Sequence, residues 1–209
     1  MNVFDKPIVM IDFETTGLSP DMGDRITEVA ALRIEGGRIT DRYVTLINCN
    51  ARIPSFITGL TGITQTMVDK APPVAEVVPR LLDFIGSDAL SAHNASFDEK
   101  FLRAESARLN LTPAHQSLVC SLKLSRRVFP GMASYKLGLL SSQLGIAFKS
   151  AAHRAESDAE VAAQVLIHIG RHLRSSYGIA DVDADLLVSL NKLAAAKVPQ
   201  FLQKHPSRR

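Results

Sequence analysis

No stretch of the 209-residue chain is apolar for long enough to cross a bilayer as a helix. The N-terminus also lacks a basic segment followed by a secretory apolar run. These absences exclude a helical membrane protein and make the cytoplasm the expected compartment. Cysteine is scarce: Cys49 and Cys120 offer neither a disulfide framework nor metal-ligand spacing, and both read as buried thiols. Internal repeats and low-complexity runs are missing as well. Excess charge is small, with a net charge of +3 and a pI near 9.0, which permits a nucleic-acid partner without requiring one. What remains is 46% hydrophobic and 22% charged, the composition of a globular domain with a sizeable core.

The most informative stretch is Ile8-Val9-Met10-Ile11-Asp12-Phe13-Glu14-Thr15-Thr16-Gly17-Leu18. Four apolar residues bounded by a turn read as a buried strand near the middle of a sheet. Strand side chains alternate between faces, so Asp12 and Glu14 point the same way. Two carboxylates on one face of a buried strand end repel each other and resist desolvation, unless a cation neutralises them. The same pair read alone is equally a solvated strand end.

Downstream, Arg25 to Ile34 and Ile39 to Ile47 flank a Gly-Gly turn and read as an antiparallel hairpin, so the first three strands form a meander. Short helical turns are expected over Ser55–Leu60 and Thr64–Asp69. A longer helix is expected over Pro73–Ile85, with Pro79 marking a kink or a late start. Asp88 to Ala92 is a short strand, and Phe97–Leu109 a helix capped by Ser96. Leu118–Cys120, Ser121–Val128 and Lys136–Leu144 continue as strand, helix and helix, the last stopped by Gly145. Ala159–Leu173 is a long amphipathic helix, and Asp183–Ala196 a second apolar-striped one. The expected class is α/β or α+β, a sheet flanked by helices, with residues 1–175 as the main domain. Residues 176–209 then form a helical extension ending in Lys204, Arg208 and Arg209.

Two polar clusters open predicted helices: His93-Asn94-Ala95-Ser96-Phe97-Asp98 and His153-Arg154-Ala155-Glu156-Ser157-Asp158. Each read alone is a set of helix-start acids that suit the dipole or cap the first turn. Read with the opening strand they say more. Asp12, Glu14, Asp98 and Asp158 converge if two strand ends and two helix ends meet at one edge of the sheet, where open α/β sheets place ligands. Four carboxylates without thiolates suit hard ions such as Mg²⁺ or Mn²⁺. A pair of such ions about 4 Å apart can activate water against a phosphodiester. His153, five residues before Asp158, is suited to take the proton from that water.

In these three motifs, in their order, and in Leu60-Thr61-Gly62-Ile63-Thr64 between the first two, the chain resembles the DEDDh branch of the DEDD 3′–5′ exonucleases. The resemblance covers about residues 7 to 173 and is strongest to epsilon-like proofreading domains. It implies a ribonuclease-H-like fold and a two-metal hydrolase that releases nucleoside 5′-monophosphates from a 3′ end. Single-stranded DNA is the expected substrate, and RNA, as in ribonuclease T or oligoribonuclease, the alternative. A non-catalytic nucleic-acid-binding module is a further alternative, disfavoured because all four carboxylates and His153 are kept. By the same resemblance Asp12 bridges two metals, Glu14 and Asp158 complete the water-activating site, Asp98 serves the second metal, and His153 is the general base. Thr15 meets the terminal 3′-hydroxyl through its backbone, while Leu60, Thr61 and Phe97 line the pocket for the last bases.

Partners implied are a nucleic acid with a free 3′ end and, by the resemblance, a DNA polymerase. Gln143–Phe148 loosely fits a sliding-clamp peptide and fits equally the end of a helix. The Leu186, Leu187, Leu190, Leu193 stripe is expected to pack on the domain or on a second copy, as in a homodimer.

Overall fold

The computed structural model describes residues 2–148 and 153–205. Ile8–Thr15 (β1), Ile26–Glu35 (β2), Arg38–Leu46 (β3), Ala89–Ala92 (β4) and Leu118–Cys120 (β5) form one sheet in the order β3-β2-β1-β4-β5. The meander half is antiparallel and the β1-β4-β5 half parallel, so the sheet is mixed. The hairpin turn places Gly36 and Gly37 at φ 58° and 87°, a left-handed pair that residues bearing a Cβ rarely adopt.

Alternation along β1 sorts its side chains between two cores. Ile8 and Met10 join Ala30 and Leu32 of β2 under the long helix Ala155–Tyr177 (α7). Val9, Ile11 and Phe13 face the opposite layer, made by Val74–Ile85 (α3) and Ala95–Arg108 (α4). Asp12 and Glu14 therefore lie on the α7 side. A smaller cluster, Cys49, Ile53, Ile57, Ile63 and Val68, seats the short helices Ser55–Thr61 (α1) and Gln65–Asp69 (α2). Cys49 and Cys120 are buried free thiols, as read from their isolation. No described helix is long and apolar enough to cross a membrane.

Several boundaries differ from the local reading, each for a nonlocal or backbone reason. Helix α3 runs unbroken from Val74 through Pro79, so the proline causes no late start. Helix α4 starts at Ala95, not Phe97. Asn94 at φ 82° makes the turn from β4, and its carbonyl accepts the Phe97 N–H at 2.8 Å, so Ser96 is not the cap. Helix α7 starts at Ala155 rather than Ala159 and continues to Tyr177, where left-handed Gly178 ends it. Glu156, Ser157 and Asp158 are thus its first turn.

After Ser121–Val128 (α5) and Leu137–Gln143 (α6), the tail helix expected over Asp183–Ala196 ends early as Ala184–Lys192 (α8), and a further short helix, Val198–Gln203 (α9), follows beyond its expected end. Leu193 turns extended, and its carbonyl accepts the Arg127 Nε–H at 3.1 Å. Asn191 accepts the Cys120 N–H at 2.8 Å and donates to the Cys120 carbonyl at 3.1 Å, occupying both backbone groups at the open edge of β5. These two ties hold the end of α8 against β5 and α5. Leu186, Leu187 and Leu190 are buried in the same core cluster as the α7 face of the sheet. Leu144 and Ile146 also pack against that cluster, while the Gln143 amide donates to Ser134 O and Leu139 O. The segment that loosely fits a clamp peptide is thereby occupied with its own fold. Of the basic ending, Arg208 and Arg209 lie outside the described residues.

Candidate active site

The first strand delivers two acids to the α7 face two residues apart, and the helix start delivers a third. Carboxylate oxygens of Asp12, Glu14 and Asp158 lie within 4.8 Å of one another, all three groups partly open to solvent. Asp98, in the first turn of α4, is almost fully buried. Its carboxylate accepts backbone N–H bonds from Phe13 and from its own residue, and its charge is the largest electrostatic influence on Asp12 after burial. Of the four acids expected to converge, Asp12, Glu14 and Asp158 form the cluster, and Asp98 lies within electrostatic reach of Asp12.

Their crowding has an energetic consequence. Burial pushes Asp12 well above the usual carboxylate range, and Asp98, Asp158, Glu14 and Glu28 push it further. Burial, then Asp158 and Glu28, raise Glu14 to about 7, against a lowering pull from Arg154. Asp158 is also raised by burial, partly offset by the His153 N–H and the His153 charge. Like charges gathered at so short a range repel strongly at reduced dielectric, and a divalent cation is the group that reverses the sign of that interaction. An all-oxygen donor set of this kind fits a hard cation.

His153 stands exposed at the rim with φ 62°, and its backbone N–H donates to Asp158 Oδ2 at 2.9 Å. This contact places the imidazole's own residue beside the third acid. Thr15 is buried, and its hydroxyl donates to Gly17 O at 2.6 Å, closing the turn that ends β1. Gly17 is required there, since a Cβ would fall 2.4 Å from the Asp24 carboxylate, which binds Thr16 Oγ1 and the Ser19 N–H.

The residues expected to line a base pocket divide. Phe97 is half-buried, with its ring 5.0 Å from Phe101 and the Lys100 ammonium 5.3 Å from its centroid. Leu60 is 52% exposed on α1, an apolar side chain presented to solvent. Thr61 is buried, and its hydroxyl donates to Ile57 O and accepts the Ile63 N–H, so that group serves α1 itself.

Two features escaped the local reading. Glu28 of β2, directly opposite Glu14 in the β1–β2 ladder, is a fifth acid at the cleft and is paired with Arg154. The available signal was its setting, a charge inside the otherwise strand-like run Ile26–Ile34, which demands a partner. The second is His93. Its Nε2 lies 2.9 Å from the Tyr135 carbonyl, which can only accept, so Nε2 carries the proton and Nδ1 accepts from Ser121 Oγ at 3.0 Å. Burial lowers its pKa, keeping the ring neutral as a strut behind α4.

Comparison with known proteins agrees with this geometry. An exonuclease family profile matches residues 9–166. The DNA polymerase III subunit epsilon of Aquifex aeolicus is 35% identical over 180 residues, covering 86% of this chain and 88% of that one. The 3′-5′ exonuclease DinG of Bacillus subtilis is 40% identical over 166 residues, covering 79% of this chain and 18% of DinG. A PolC-type DNA polymerase III of Clostridium perfringens is 33% identical over 94% of this chain, which spans only 13% of that protein. Among solved structures, exonuclease X in complex with 5′ overhanging duplex DNA superposes with a TM-score of 0.69 at 26% identity, covering 88% of this chain and 99% of that one. The five-stranded mixed sheet is the ribonuclease-H-like fold expected from the motifs. With its acids gathered at one sheet edge and a relative of nearly its own length in the epsilon subunit, the chain belongs to the exonuclease family.

Proposed function

We propose that this protein is a divalent-metal-dependent 3′–5′ exonuclease acting on single-stranded DNA ends and releasing nucleoside 5′-monophosphates. The observation that carries the reading is the set of carboxylates from Asp12, Glu14 and Asp158 within 4.8 Å of one another. In this reading Asp12, Glu14 and Asp158 would hold one ion, and Asp12 and Asp98 would serve a second. Mg²⁺ or Mn²⁺ suits such oxygen ligands. When bound, such ions supply charge neutralisation at the scissile phosphate and make water more acidic.

The chain's own groups do the rest. His153, exposed at the rim and joined to Asp158 through its N–H, takes a proton from the attacking water. The water oxygen forms a bond to phosphorus, the bond from phosphorus to the 3′-oxygen breaks, and that oxygen is protonated from solvent. Thr15 in the β1 turn meets the terminal 3′-hydroxyl, and Phe97, Leu60 and Thr61 flank the last bases, Phe97 by stacking. Residues up to about 175 carry the chemistry, and the following segment braces it by way of α8.

The test uses matched 5′-labelled DNA and RNA oligonucleotides with Mg²⁺ or Mn²⁺, with EDTA and Asp12→Ala as controls. A ladder shrinking from the 3′ end, lost in both controls and faster on DNA, is expected. A faster RNA ladder would reassign the substrate. No cleavage of either polymer by folded, metal-loaded protein would overturn the enzymatic reading.

A further inference from the structure

Glu28 has no task in the hydrolysis just described, yet its carboxylate is 4% exposed and lies at the cleft. Among the described residues, its side chain bonds to one two-residue segment, Arg154-Ala155. Oε2 accepts the Ala155 N–H at 3.0 Å and the Arg154 Nε–H at 3.1 Å, and Oε1 accepts from Arg154 Nη2. The Ala155 N–H is one of the orphan donors at the start of α7, where the side chain of the N-cap residue Arg154 makes no capping hydrogen bond. A carboxylate from β2 supplies that cap across 127 residues of sequence. The gripped segment sits between the two functional residues of the third motif. His153 precedes it, and the Arg154 carbonyl accepts the Asp158 N–H at 3.0 Å in the first turn. Since Glu28 also faces Glu14 across the β1–β2 ladder, it ties the start of α7 to the strand that carries the first two acids.

We infer that Glu28 is a positioning residue, which sets Asp158 and His153 against Asp12 and Glu14 by holding the first turn of α7. Arg154 is its necessary partner: by binding both oxygens it keeps this fifth carboxylate out of the metal-ligating set. The role rests on the metal-dependent reading above. Outer ligand-orienting groups of this kind alter metal affinity or activity by about 10–100-fold when removed.

The experiment compares wild type, Asp12→Ala, Glu28→Gln, Arg154→Met and the Glu28→Gln/Arg154→Met double variant, all as the full chain with melts to verify folding. Three quantities are read: Mn²⁺ affinity from free-ion electron paramagnetic resonance without substrate, kcat and KM on a DNA oligonucleotide, and hydrogen exchange at Ala155 in metal-free protein. Glu28→Gln should weaken Mn²⁺ binding and lower kcat by about tenfold or more, with KM within about twofold. It should also speed exchange at Ala155. Arg154→Met leaves a bare carboxylate beside Glu14, so Mn²⁺ affinity should rise while kcat falls. The double variant should return to the Glu28→Gln values instead of adding the two effects. Because Arg154 is 42% exposed, its replacement keeps the test alive if Glu28→Gln does not fold. A lowered melting point with unchanged Mn²⁺ affinity and kcat would make Glu28 a structural acid only and overturn the inference. Wild type that binds no Mn²⁺ would instead overturn the exonuclease reading beneath it.

Discussion

Replacement of Glu14 by glutamine separates the electrostatic strain of the site from its use. In metal-free protein Glu14 is raised from 4.5 to about 7 by burial and by its acidic neighbours. For an acid raised on folding, the native state holds the proton more tightly than the unfolded chain. Its contribution to stability is therefore full below about pH 4.5, falls as pH rises towards 7, and is level above that. The span of about 2.5 pH units, at about 1.4 kcal/mol each, amounts to about 3 kcal/mol, an upper figure because Glu14 is partly solvated. Glutamine keeps the shape and cannot ionise. In EDTA at pH 8 the variant should melt up to roughly 6–12 °C above wild type, and at pH 4.5 at the same temperature. His93, His115, His168 and His172 are lowered by burial and titrate with the opposite sign, adding stability as pH rises towards 6.5 and no more above it. For that reason the quantity to plot is the difference between the two proteins. Saturating Mn²⁺ should then raise the wild-type melt more than the variant's, since a hundredfold excess over Kd contributes about 2.7 kcal/mol to whichever protein binds. A difference in EDTA that is flat with pH, or a variant less stable at pH 8, would refute the account of the acids as a strained, cation-seeking set.

Asp12→Asn and Asp158→Asn should each reduce hydrolysis to the level seen in EDTA while raising the metal-free melting point at pH 8, read by nuclease assay and calorimetry. His153→Ala should lower kcat by about 10²–10⁴-fold with little change in KM. Asn191→Leu strands the N–H and C=O of Cys120. A loss of about 2 kcal/mol, or roughly 4–8 °C in Tm, is expected from denaturation curves.

The chemistry was legible where it is written in local periods. The alternation of Asp12 and Glu14 after an apolar run fixes their shared face, because strand side chains repeat every two residues. Asp98 and Asp158 announce themselves as first-turn acids, although only the fold brings them to β1. The starts of α4 and α7 were misplaced because their caps are not the local serine or acids. One is the left-handed backbone of Asn94, and the other is Glu28, reaching over from β2. The stripe of Leu186, Leu187 and Leu190 gave the tail helix and its buried face. Its early end at Lys192 depends on Arg127 and Cys120, residues more than sixty positions away, and no local pattern contains that information.

The pairing of Asn191 with Cys120 also orders events during synthesis. Strand β5 is three residues long and lies at the parallel edge of the sheet, where strand pairing has only β4 to lean on. Its outer backbone groups find their partner in a helix translated some seventy residues later. A nascent chain carrying all five strands and the three acidic motifs therefore still has an unfinished edge as it leaves the ribosome. That edge closes when α8 emerges. Completing the hydrogen bonding of the sheet therefore requires the tail, which no shorter nascent chain contains.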